Sequence, residues 1–300
     1  MSATTRQPPK AGRPRSVASP AQRGTKARVA AGIGGRYVLL LVVLAVTVGP
    51  FAWQVSTSLK GLGENIFAFP PQLVPDEPTL RNYARVAEAI PLWRYLGNST
   101  IVATAVTLTN CLFGAMAGYA LARMRFRGRN ALFAAMIATL IIPFEVIMIS
   151  VFLVTRGLGL INTLAGAMLP LAISVLSIFI MRQAFLALPR EVEEAARVDG
   201  AGEWQTFWRI GLPSVRGSLA VVAIFSFMFA WDDFLWPLIV LRDPQNFTLT
   251  VGLVFLENQF SADQRLVAAG TVISIIPVLA LFVFLQRQFF RGVGQAAVKG

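Results

Sequence analysis

Histidine is absent from all 300 residues, which removes the commonest general base and the commonest metal ligand. A single cysteine, Cys111, lies in an apolar run, so no intrachain disulfide and no zinc framework exists. Charge is also scarce: 14% of residues are Asp, Glu, Lys or Arg, where soluble domains carry about a quarter. No glycine-rich phosphate loop ending in Lys-Ser or Lys-Thr occurs, so the chain has no nucleotide-hydrolysing signature of its own. These absences argue against an active site, and a membrane enzyme would have few polar groups to work with.

What is abundant is apolar. Hydrophobic residues make up 55% of the chain and mean hydropathy is +0.62. A bilayer core of about 30 Å is crossed by roughly 20 apolar helical residues. By that measure the sequence predicts an all-α membrane protein with six spans, near 37–59, 100–122, 131–154, 164–181, 219–241 and 266–285. The first is too long and bulky for a cleaved secretory signal and reads as a retained anchor. The third contains Pro143 and Glu145 and is expected to kink. The fifth carries Asp232 and Asp233.

The net charge of +12 is unevenly spread. Residues 1–36 hold eight Lys/Arg and no acid among Pro, Ser, Ala and Gly, which predicts a disordered basic tail held at an anionic leaflet; a nucleic-acid arm is the alternative. Residues 37–300 are expected to form the membrane domain. With the N-terminus inside, segments 1–36, 123–129, 182–216 and 287–300 carry 20 of the 27 Lys/Arg, so both termini are expected in the cytoplasm. On the other side, a proline-rich stretch precedes a short amphipathic helix with Thr79 as N-cap and Leu80, Tyr83 and Ala87 on one face, ending at Pro91. It suits either an external partner or the chain's own bundle.

Between spans four and five lies a cytoplasmic loop, about 189–213. Pro189 suits a first helical turn, and Glu191, Glu193 and Glu194 place acid at the positive helix end. Ala195 and Ala196 permit close approach of another surface. Asp199-Gly200 breaks the helix, and a second one follows with Trp204, Phe207, Trp208 and Gly211 at helical spacing. The inter-span segment 182–216 is charge-neutral, which speaks against a DNA-reading helix-turn-helix. It reads either as packing on its own bundle or as a docking knob for a cytoplasmic protein.

Its spelling is specific. Glu194-Ala195-Ala196, Gly200, Ile210, Leu212 and Pro213 match the pattern EAA-x3-G-x9-I-x-LP at every defined position. The chain therefore resembles the membrane subunits of bacterial ATP-binding-cassette (ABC) importers. The stretches "SLK", "GYALARMRFRGRNALF", "FAWDDFLWPLIV" and "GVGQAAVKG" are similar to the carbohydrate branch, maltose-permease-like. This resemblance implies a type I importer permease fold in the bacterial cytoplasmic membrane. It implies a second permease subunit, an ATPase dimer and an extracytoplasmic solute-binding protein as partners, with ATP and Mg on the ATPase and no cofactor on this chain. The docking residues implied are Glu194, Ala195, Ala196, Asp199, Gly200, Ile210, Leu212 and Pro213.

Carboxylates at bilayer depth are costly and point to function. Trp231, Asp232, Asp233 and Trp236 form a candidate solute path, since carboxylates bond sugar hydroxyls and indoles stack on sugar faces; a helix break there would suit a cavity. Glu145 is a further candidate, structural or gating in character. The alternative readings are a permease for a polyol or glycerol phosphate ester, and an ion-driven secondary carrier, which gives no reason for the loop. Gly114 and Gly118 predict close helix packing.

Overall fold

The computed structural model describes residues 20–70, 72–260 and 263–297. Of the expected tail, residues 1–19 lie outside the described residues, as do 298–300 of the closing "GVGQAAVKG" stretch. Every regular element among the described residues is helical. The chain divides into two compact units, 1–53 and 54–300.

The first unit holds most of helix α1 (Pro20–Leu59). Its backbone is helical from Pro20, inside the segment expected to be a tail, where Ala21, Arg23, Lys26, Ala27 and Arg28 are all strong helix formers.

The second unit opens with α2 (Arg81–Ala89) and α3 (Leu92–Arg123). The face that α2 buries is Asn82 and Val86, whereas Leu80, from the face picked out in the sequence, is 72% exposed. The Asn82 side-chain amide explains the choice, donating to the Ser58 and Lys60 carbonyls at 2.9 Å each. Thr79 does serve the helix start, its hydroxyl accepting from the Arg81 N–H at 3.2 Å.

Helix α3 is the spine of the core. Tyr95, Ser99, Val102, Val106, Asn110, Gly114 and Gly118 recur every three or four residues and are buried along one stripe. Against it lies α7 (Val175–Leu186), approaching so closely at Gly114 that an added Cβ would fall 3.1 Å from Ser177 Cβ.

Among the described residues, three helices are long and apolar enough to cross a membrane: Arg36–Leu59, Leu92–Arg123 and Gln264–Arg287, the last within α14 (Gln264–Ala297). Three further pairs qualify only when each bent pair is taken as one span. Instead of a kinked third span, α4 (Arg129–Thr139) and α5 (Phe144–Gly157) meet at 102°, because Pro143 has an extended ψ of 140° and cannot continue a helix. The fourth is α6 (Leu164–Met168) with a 3₁₀ turn (Leu169–Leu171), bent 47° from α7. Asn110 satisfies this corner from α3: its amide donates to the Leu171 carbonyl at 2.7 Å and to Val106 at 2.9 Å, while its oxygen accepts from the Ser174 N–H at 2.7 Å.

After α7 come α8 (Arg190–Val198) and α9 (Glu203–Thr206), then a π turn (Phe207–Gly211) and α10 (Leu212–Ser214). The third bent pair joins 203–214 to α11 (Arg216–Asp232) at 78°, and α11 is itself interrupted at Asp233 before α12 (Leu235–Val240). The segment 242–265, expected as an external loop, contains α13 (Leu249–Phe260), which buries Leu249, Val251 and Leu256 in the main core. Its start is fixed by polar bonds: Ser99 Oγ accepts from the Leu249 N–H at 2.8 Å.

Candidate functional site: the α8–α9 knob and the broken fifth helix

Helix α8 begins directly after Pro189, and Glu191 and Glu193 occupy its first turn. It ends in a Schellman arrangement. The Ala201 N–H reaches the Ala196 carbonyl at 2.9 Å, the Gly200 N–H reaches Arg197 at 3.0 Å, and Gly200 takes a φ of +85°. No neighbour approaches Gly200 within 4 Å of an added Cβ, so its conformation alone calls for glycine.

The residues of the Glu-Ala-Ala motif do not all face one way. Glu194, Ala195, Asp199 and Gly200 are exposed, while Ala196 is buried. At the other end of the motif, Ile210 and Leu212 are half-buried and Pro213 is exposed. Val198 and Trp204 are bare apolar groups at the knob's surface, 87% and 61% exposed. The four positions Trp204, Phe207, Trp208 and Gly211, expected on one helical face, divide between buried and exposed. The π turn widens the helix, leaving Phe207 and Gly211 inside and both tryptophans outside.

Phe207 packs with Phe185 and Tyr119, the last two meeting edge to face at 5.2 Å. The knob is thereby rooted on the end of α3. A second attachment was not legible as a motif. Arg123 Nε lies 3.0 Å from Glu193 Oε1, with the two side chains only 4% and 5% exposed. The angle between them is too poor for a hydrogen bond, so they meet as an ion pair, and Arg123 Nη2 adds a 2.7 Å bond to the Leu188 carbonyl. Burial raises the Glu193 pKa, and the neighbouring Arg123 opposes that rise without cancelling it. The Tyr119 hydroxyl also donates to Glu203 Oε2 at 3.3 Å, and Glu203 pairs with Arg197 at 2.8 Å. Beside α8, a cleft of about 1140 Å³ is lined by Arg125, Arg127, Arg129, Arg190, Glu194 and Arg197.

The fifth helix breaks where the aspartates stand. Asp233 has an extended ψ of 122°; its carboxylate accepts from the Trp236 N–H at 3.4 Å, and its carbonyl accepts from the Thr250 hydroxyl at 2.8 Å. A backbone freed from helical bonding is thus satisfied on both sides of the break. Asp232 is exposed. The two tryptophans are a correction to the sequence expectation: Trp231 and Trp236 are 2% and 1% exposed and present no stacking face to a cavity. Their indole N–H groups donate to Ser274 O at 3.0 Å and Gly166 O at 2.9 Å, so they brace the break from within the core. Phe144 packs edge-on against Trp236 at 5.8 Å, which sets the start of α5 beside the break; Glu145, the next residue, is exposed.

Known proteins share this architecture. At the level of fold, the chain matches a bacterial ABC transporter involved in the import of the acidic polysaccharide alginate, with a TM-score of 0.73, 24% identity, and 92% of this chain and all of that one covered. In sequence it is 39% identical over 227 residues to the arabinooligosaccharides transport system permease protein AraQ of Halalkalibacterium halodurans, covering 75% of this chain and 81% of that protein. It is 32% identical to the diacetylchitobiose uptake system permease protein NgcG of Streptomyces coelicolor, covering 88% of each. It is 30% identical to the sn-glycerol-3-phosphate transport system permease protein UgpE of Yersinia enterocolitica, covering 85% of this chain and 93% of that protein. Residues 111–295, from the middle of α3 almost to the end of α14, match the family of binding-protein-dependent transport system inner membrane components, and the chain belongs to that family.

Proposed function

We propose that this chain is one membrane subunit of an ABC importer that carries a sugar or oligosaccharide by alternating access. It has six spans, with both ends in the cytoplasm. The observation that carries the reading is the α8–α9 knob: a capped helix exposing Glu194, Ala195 and Val198, rooted on α3 by a buried ion pair. Glu194, Ala195, Ala196, Asp199, Gly200, Ile210, Leu212 and Pro213 form or support the surface that docks on an ATPase partner, which binds ATP and Mg. The chain itself hydrolyses nothing.

The remaining partners are a second permease and an extracytoplasmic solute-binding protein. A fold relative has been solved in complex with an alginate pentasaccharide-bound periplasmic protein, which supports the latter. Asp232, Asp233 and Glu145 stand at or beside the broken fifth helix and are assigned to the solute path; Trp231 and Trp236 support it from behind. Among the relatives above, the permeases for arabino-oligosaccharides and diacetylchitobiose exceed the glycerol phosphate permease in identity, which favours a glycoside over a phosphate ester.

Uptake of radiolabelled arabino-oligosaccharides, chitobiose and glycerol 3-phosphate, compared between a deletion strain and the same strain complemented, tests the reading. Glycoside uptake that needs ATP and is abolished by Ala195→Trp is expected. Uptake driven by an ion gradient with no ATPase attached would refute it.

A further inference from the structure

Chain connectivity ties the knob only to its flanking helices, α7 before it and α11 after it. We propose that Arg123 and Glu193 are a positioning pair that gives the knob a third attachment and carries its displacement into α3. The inference rests on the importer reading above.

Arg123 is the last residue of α3, and its guanidinium holds two points of the knob's entry. Nη2 binds the Leu188 carbonyl, just before Pro189, and Nε faces Glu193 in the first turn of α8. One helical turn earlier on the same face of α3, Tyr119 reaches Glu203 at the start of α9. The end of α3 therefore touches both helices of the knob.

The two ion pairs of the knob differ in burial. Arg197–Glu203 lies 43% and 52% exposed, where water screens the charges and the pair yields readily. Arg123–Glu193 is shielded, and separating it strands a charge in a poorly solvated site. A pull on α8 is transmitted through such a contact more effectively than through a solvated one. It arrives at the helix that forms the spine of the core, so all the elements packed on α3 feel it.

The test uses the complete importer, with both permeases, ATPase and binding protein, in proteoliposomes carrying Glu193→Gln, Arg123→Lys or the exchange Arg123→Glu/Glu193→Arg. Bound ATPase, ATP turnover and solute moved per ATP are measured. Glu193→Gln should retain the ATPase and its turnover but lower solute moved per ATP about tenfold, the scale of a coupling free energy between sites. Arg123→Lys should fall between, because an ammonium cannot hold Leu188 and Glu193 in the fixed geometry of a guanidinium. The exchange should recover part of the ratio. An unchanged ratio in Glu193→Gln overturns the proposal. So does a parallel loss of assembly, turnover and transport that the exchange fails to restore, since that marks a purely structural role. Failure of the unaltered chain to bind any ATPase would instead defeat the importer reading, and the inference with it.

Discussion

Gly118 and Met181 approach so closely that a methyl group on the glycine would fall 2.7 Å from Met181 Cβ, and 2.8 Å from the backbone nitrogen of Arg182. The obstacle is the α7 backbone itself, which cannot swing aside as a flexible side chain would. Gly118→Ala should therefore destabilise the chain by about 1–3 kcal/mol, the usual cost of overpacking. Gly97, on the same helix, has nothing within 4 Å of an added Cβ. Gly97→Ala should be neutral or stabilising by about 0.5–1 kcal/mol through its helix propensity. Thermal unfolding of both variants in detergent checks the contrast.

Gly200 should fail for a different reason. It has room for a side chain, but its φ of +85° costs an L-residue about 1–2 kcal/mol. Gly200→Ala is expected to fray the end of α8 and weaken ATPase capture. Gly200→Asn, which tolerates this conformation, should weaken it less. Co-purification of the ATPase with each variant separates the two.

Trp204 and Phe207 lie three residues apart, with ring centroids 6.0 Å apart, yet should behave oppositely. Phe207 is in the core, so Phe207→Ala should cost about 3–5 kcal/mol of stability. Exposed Trp204 is expected to affect partner binding when replaced by alanine and to leave the melting temperature nearly unchanged. A shared effect on melting would refute this division.

Acid should loosen the segment that follows α1. Desolvation pushes the Glu64 pKa up, but hydrogen bonds from the Gly61, Asp76 and Glu77 N–H groups, aided by Lys60, outweigh it and hold the carboxyl below its ordinary value. A lowered folded pKa means stability that is present above the unfolded value of about 4.3 and lost as pH falls through the folded one. Hydrogen exchange in residues 61–77 should rise across that acidic window, and Glu64→Gln should flatten the dependence.

Much of this architecture was legible in the sequence, for identifiable reasons. Long apolar runs expose α3 and the apolar part of α14, and the spacing of Gly114 and Gly118 pointed to the close α3–α7 approach that the structure contains. Proline at 143 announced a disturbance but not its size, a 102° bend. Helix α13 was missed because its flanking charges resemble those of a loop, while its burial comes from distant partners on α3. The tryptophans at 231 and 236 misled for a related reason: an indole beside an aspartate looks the same whether it faces a cavity or the core. Arg123 and Glu193 are 70 positions apart in the chain, and each looked like an ordinary boundary charge. The hint was present in Tyr119 and Arg123, one turn apart, opposite a loop rich in acids.

The amide of Asn110 has a further consequence. Its oxygen and one amide hydrogen are engaged at the α6–α7 corner, while the other hydrogen is held by the Val106 carbonyl of α3, so a single side chain ties the bend to α3. A corner pinned this way is a welded elbow, and α7 must travel with α3 as a single strut whenever the molecule changes shape. In the alternating-access cycle proposed above, a pivot is expected at the 102° fold between α4 and α5.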